Sequence, residues 1–151
     1  MTRRVPLLLA LACLLAAAAC GGSRPSSAFA TRAAAGEAVP GWVPAEATEL
    51  RLSADEASGA FWLRFRLPPS GRALLEPELL RIPDAQVATL TVRPPRGADW
   101  WFRGLVQVVP ARETTVVAAD VFSGAGRSVP LRTFVAFDRA SDAVYAWSAG
   151  R

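Results

Sequence analysis

The chain has 151 residues, with 17 Lys+Arg against 13 Asp+Glu and a formal net charge of +4. Every cation is Arg, because the sequence holds no Lys and no His, and its two cysteines are Cys13 and Cys20. That inventory excludes Ser-His and Cys-His nucleophiles, His-ligated metal, Schiff-base lysines and the P-loop, and the length allows one domain.

In chain order, Arg3 and Arg4 form a short basic region, residues 5–15 an apolar run, and residues 16–19 four alanines, followed by Cys20, Gly21 and Gly22. A membrane-spanning helix needs about 20 apolar residues, and this stretch barely reaches that length. Its ending in small residues, a Cys and two glycines marks a processed secretory signal rather than a span. Ala17-Ala18-Ala19-Cys20 resembles the bacterial lipoprotein signal, in which small or aliphatic residues precede a Cys that is lipidated and becomes the first residue. It departs from that pattern in having Ala rather than Leu at its first position. Cys13 fits worse, since further apolar and small residues would trail behind the modified site.

The resemblance implies that residues 1–19 are a signal peptide and that acyl chains on Cys20 anchor the protein in a membrane. Several chains, at about 0.8 kcal/mol per buried CH₂, hold far more firmly than one. An Asp after the Cys usually retains such proteins in the inner membrane; Gly21 stands here, so the resemblance implies the outer membrane, with the domain facing the periplasm. The plainer alternative is an ordinary signal peptide cut after Ala18 or Ala19, leaving a free thiol. Loss of Arg3 and Arg4 leaves a net charge of +2, and the remaining arginines are spread evenly. They form no nucleic-acid footprint.

Residues 20–44 are rich in Gly, Ser, Ala, Pro and Thr and read as a flexible tether, with Trp42 as a first contact to the domain. Residues 45–151 read as a single β-rich domain. A short strand over 49–53 and a turn over 54–59 lead into Phe61-Trp62-Leu63-Arg64-Phe65-Arg66-Leu67. Alternation there places Phe61, Leu63, Phe65 and Leu67 on one face and Trp62, Arg64 and Arg66 on a solvated one. Leucines between 72 and 82 recur near helical spacing, with Pro77 suited to a first turn. Further strands are expected at 87–93, 105–109, 114–122, 129–137 and 143–147, with a helical turn capped by Asp99 and a hairpin loop over 138–142. The expected fold class is mainly β (β-rich α+β): a small antiparallel sheet or sandwich with one or two short helices, after a signal segment and tether.

For chemistry, the acids near one another in sequence (Asp55/Glu56, Glu76/Glu78, Asp138/Asp142) fall where turns and caps explain them. Asp120 lies within an apolar strand and needs Arg or backbone partners, which makes it the one residue on which a carboxylate hydrolase could rest. Structural ion pairing is the commoner reason for such a residue. The expectation is therefore no enzyme, no catalytic residue, no metal and no cofactor. A binding surface is expected at Trp62, Arg64, Arg66, Trp100 and Trp101, since Trp and Arg dominate protein hot spots and Trp also stacks on sugars. Arg64 and Arg66 together would suit a carboxylate or phosphate.

Trp100-Trp101, then Thr133-Phe134-Val135-Ala136-Phe137-Asp138 and Ala143-Val144-Tyr145-Ala146-Trp147, make the last third similar to small proteobacterial lipoproteins in which a tryptophan-rich turn precedes a closing hairpin. That resemblance implies no particular activity. Taken together, the sequence reads as an anchored, non-enzymatic envelope protein with a protein partner, or alternatively as a module that binds peptidoglycan or another glycan through exposed Trp.

Overall fold

The computed structural model describes residues 26–87, 90–92, 95, 97–101, 106–109, 113–116 and 119–148. The signal segment and Cys20 lie outside the described residues. The architecture is mainly β and antiparallel. Seven strands form one sheet: β1 (Ser27–Thr31), β2 (Thr48–Asp55), β3 (Ala60–Arg66), β4 (Leu79–Arg81), β8 (Ala119–Gly124), β9 (Thr133–Asp138) and β10 (Ala143–Ser148). Their order is β1-β2-β3-β10-β9-β8-β4. The short strands β5 (Thr91–Val92), β6 (Val106–Val109) and β7 (Glu113–Val116) pair in a second sheet of order β5-β7-β6. The helices are brief: α1 (Arg32–Ala35), α2 (Pro69–Leu75) and α3 (Asp84–Val87).

Period-two alternation gives the large sheet two apolar faces. On the first, Leu50, Leu63, Phe65, Phe122, Val135, Phe137, Val144 and Ala146 pack in one cluster with Ala35, Val39, Val43 and Ala47 from the N-terminal segment and Leu75 of α2. On the second, Ala119, Val121, Ala136, Ala143, Tyr145 and Trp147 pack with Val87, Val92 and Trp101, and with the partly buried Trp62, Phe134 and Trp100. The central hairpin β9-β10 is covered on both sides, so all five residues from Ala143 to Trp147 are buried.

The expected tether over 20–44 is corrected by this packing for residues 26–44, and its first residues, 20–25, lie outside the described residues. Ser27–Thr31 adds a strand to β2, with Phe29 opposite Leu50, and Thr31 caps α1 by accepting a hydrogen bond from the Ala34 N–H at 3.2 Å. Val39 and Val43 are only 2% and 3% exposed. Small residues over 26–44 suggested too little apolar surface to order the segment, yet a few well-placed side chains suffice once a sheet face is there to receive them. The domain therefore includes residues 27–44 as well as those from 45 on.

Other boundaries moved for local reasons. The helix expected over 72–82 starts earlier, with Pro69 at its first position, and Pro77 falls in a following 3₁₀ turn. Leu79–Arg81 is a strand instead, since Leu79 faces the first core while Leu80 is exposed. The single strand expected over 114–122 is two, β7 and β8, which belong to different sheets. The strand expected over 129–137 begins at Thr133, after a turn in which the Thr133 N–H donates to the Pro130 carbonyl.

Candidate functional site

The alternation expected in β3 is present, but its second face is not simply solvated. Trp62 lies opposite Trp147 and Ser53 and packs partly buried against the second core. Trp101 is 5% exposed and Trp147 4%. The Trp101 ring stands edge-on to Tyr145 at 5.6 Å and to Trp147 at 6.2 Å, Trp100 meets Trp101 edge-on at 5.8 Å, and Phe134 stacks on Trp147 at 5.4 Å. Edge-to-face and offset contacts at these distances are characteristic of aromatic core packing. The rings expected to form an exposed binding surface thus close the second core. Alternation assigns each face one environment, whereas among the described residues Val87, Val92 and the Trp100-Trp101 turn cover only part of this face.

The two arginines of β3 separate. Arg66 donates from Nε to Asp142 at 2.8 Å and from Nη1 to Glu49 at 3.3 Å. The Asp142 bond and charge, then those of Glu49, hold its pKa above the ordinary guanidinium value. Its charge is therefore met within the fold, by carboxylates that Arg64 does not share. Arg64 lies opposite both Arg51 and Tyr145, with its guanidinium carbon 6.0 Å from the Tyr145 ring centre. Neither Arg51 nor Arg64 has a carboxylate partner among the described residues.

Asp120 is the hub of a charge network on the first face. It accepts from Arg139 Nε at 3.1 Å, from Arg72 Nη2 at 3.4 Å and from Arg81 Nη2 at 3.4 Å. Each cation also touches a second acid: Arg72 meets Glu76 at 3.1 Å, and Asp84 lies 3.5 Å from Arg139 and 4.0 Å from Arg81. Arg72 further stacks on Phe137, 4.4 Å above its ring centre. Burial pushes the Asp120 carboxyl up, but the hydrogen bonds from Arg139 and Arg72 outweigh it and hold the pKa below the ordinary 3.8. Such a group is a firm anion. It is poorly suited to carry a proton in catalysis, which needs a pKa near the working pH.

The remaining acids behave largely as turn chemistry requires. Asp138 accepts from the Ala140 N–H at 3.0 Å and the Ser141 hydroxyl at 2.6 Å, and Asp55 from the Ala57 N–H and the Ser58 hydroxyl. The Ser58 bond, then the Ala57 N–H, holds Asp55 below its usual range. Asp142, expected to serve its turn, pairs with Arg66 instead.

Two surface features had no reading in the sequence. The first is an open groove of about 410 Å³ along the β1-β2-β3 end, lined by Ala28, Phe29, Ala30, Glu49, Arg51 and Arg64, with Leu50 at its base. It lies on the second face, beyond the layer that covers Trp62. A bulge between Thr48 and Arg51 shapes it, with Glu49 in the left-handed region at φ 50°. The second is apolar: Leu74, Leu80 and Leu131 are 65%, 56% and 67% exposed. They come from α2, the edge strand β4 and the turn after β8, segments joined by pairing of Leu79 with Gly124 and by the Ala125 N–H on the Glu78 carbonyl. Arg51 could have been suspected only from the strand register. Leu80 was concealed because it fitted a helical repeat.

No protein family, curated protein or solved structure matches this chain.

Proposed function

We propose that this is a lipid-anchored protein of the cell envelope with a binding or accessory role toward a protein partner in the periplasm or outer membrane. Anchoring rests on Arg3-Arg4, the apolar run, and Ala17-Ala18-Ala19-Cys20. A role in binding rests on one structural observation: three large leucines, Leu74, Leu80 and Leu131, are exposed at the end of the sheet where β4 offers a free edge. Exposed apolar side chains around an edge strand favour docking of another polypeptide. Reading the protein as a binder rather than an enzyme rests on the lack of His and Lys in the sequence and on Asp120 being engaged by three arginines.

The glycan alternative required exposed tryptophans. Its strongest candidate ring, Trp101, is buried against Tyr145 and Trp147, which favours the protein-partner reading.

Two experiments test the proposal separately. Mass spectrometry of the protein purified from membranes is expected to show an acylated Cys20 as the first residue; an unmodified chain beginning near residue 19 or 20 overturns the anchor. Crosslinked capture from solubilised envelopes is expected to recover one stoichiometric protein with wild type and to lose it with Leu80→Glu/Leu131→Glu. Retention of the partner by that variant refutes the leucine surface, and recovery of glycan fragments in place of a protein restores the alternative.

A further inference from the structure

We propose that the groove at the β1-β2-β3 end is a binding site for a phosphate group, held between Arg51 and Arg64. These two residues stand directly opposite each other in the β2-β3 register. Like charges placed so close oppose the pairing of their strands, and a sheet normally avoids or neutralises them. Four arginines of this domain, Arg66, Arg72, Arg81 and Arg139, each meet one or more carboxylates. Among the described residues Arg51 and Arg64 meet none, although Glu49 lines the same groove, because the Glu49 carboxylate lies 3.3 Å from Arg66. The groove therefore holds two guanidiniums with no carboxylate in contact with either among the described residues, beside a Glu49 carboxylate that Arg66 engages.

Their surroundings favour an anion over bulk water. Arg64 is partly buried and rests beside the face of Tyr145, which limits its rotation. The small side chains Ala28 and Ala30 leave room over the sheet, with Ala28 opposite Arg51 in the β1-β2 register. Two planar guanidiniums offer more N–H donors than one carboxylate can accept. A phosphate presents three or four oxygens and a charge that reaches −2, so it can bridge both forks at once and cancel their repulsion. Phosphate of this kind occurs both on lipid headgroups and on small soluble metabolites. The site stands whether or not Cys20 is lipidated.

The test is calorimetric titration of the full chain in neutral detergent micelles. The titrants are inorganic phosphate, glycerol 3-phosphate, and micelles doped with phosphatidic acid or, as a control, phosphatidylcholine. The titrants with a terminal phosphate (inorganic phosphate, glycerol 3-phosphate and phosphatidic acid) are expected to bind with a dissociation constant near or below about 1 mM. Phosphatidylcholine, whose phosphodiester is capped by choline, is not expected to bind. Arg64→Gln and Arg51→Gln should each weaken binding at least tenfold, given roughly 1.5–3 kcal/mol for a charged hydrogen-bond partner. Arg127→Gln, an exposed residue at the other end of the sheet, should leave binding unchanged. Arg51→Lys, which keeps charge and fold but loses the fork, should fall between the two.

Binding of the doped micelles alone supports the site with a headgroup as its ligand, and binding of the soluble anions alone supports it with a metabolite. Absence of binding by every phosphate titrant overturns the proposal. So does equal weakening in Arg127→Gln, or affinity unchanged in Arg51→Gln and Arg64→Gln with circular dichroism intact.

Discussion

Replacing Asp120 by Asn keeps the shape of the side chain and removes the charge on which Arg72, Arg81 and Arg139 converge. The geometry sets the size of the effect. Only the Arg139 bond, at 3.1 Å, is short; the other two are 3.4 Å. The Asp120 side chain retains 21% of its exposure, so this is neither a surface pair nor a fully buried one. Breaking a buried pair costs roughly 3–5 kcal/mol and an exposed one under about 1. Since each arginine keeps a second acid, about 2 kcal/mol is expected, or a fall of roughly 5–10 °C in Tm. Urea unfolding followed by far-UV circular dichroism measures it, with the m-value expected to stay constant. The pH dependence supplies the sign. The folded-state pKa of Asp120 lies below its unfolded value, so its contribution is complete above the unfolded pKa of about 3.9 and is lost as pH falls through the folded value. The gap between wild type and Asp120→Asn should therefore be full at pH 7 and narrow in acid, once the pH falls below the unfolded value. A loss under about 0.5 kcal/mol at pH 7, or a gap that widens in acid, would refute Asp120 as the electrostatic centre of this face.

Three further outcomes are expected. Gly124→Ala should destabilise by about 1–3 kcal/mol, because a Cβ there overlaps the Pro130 carbonyl oxygen and lies 2.6 Å from that of Val129; chemical denaturation measures it. Trp101→Ala should cost about 3–5 kcal/mol and disturb the near-UV dichroism of its aromatic neighbours, whereas a solvent-facing ring would give under about 0.5. Leu80→Glu/Leu131→Glu should leave thermal stability within about 0.5 kcal/mol of wild type, since both side chains are largely exposed; a larger loss would mean that they pack within the fold.

The large sheet was legible in the sequence where alternation and turn chemistry agreed. β3 and β10 each lie within about one residue of expectation at either end, and Asp138 ties their neighbour's turn as Asp residues do at hairpin tips. Alternation, however, reports which side chains share a face and says nothing about what covers that face. Trp62 and Arg64 are two residues apart on the same side, yet one packs on an aromatic core and the other lines an open groove. The N-terminal strand was illegible for a different reason. Ser27–Thr31 has no alternation of its own, being exposed except at Phe29, and it exists because β2 offers an edge. The same is true of β4, three residues long, whose pairing with β8 is a long-range contact that no local pattern announces. Asp120 was legible as an acid that needs cations, but which cations followed only from the fold.

The candidate surfaces follow from how this sheet ends. An open antiparallel sheet has two edges, and an exposed edge invites further pairing unless something limits it. At one end β4 is too short to template a long partner strand, and its neighbourhood carries the exposed leucines. At the other, β1 lies beside two arginines whose mutual repulsion discourages apolar association but welcomes an anion. With strands about 4.8 Å apart, six spacings separate β1 from β4, roughly 29 Å. The proposed anchor makes these ends inequivalent. Seven residues from Cys20 to Ser27 span at most about 25 Å, so an acylated Cys20 would keep β1 and the proposed phosphate groove near the lipid surface and leave β4 free to lie farther out. A headgroup at the near end and a protein at the far end are then compatible on one small domain, because each feature lies where its ligand would be found.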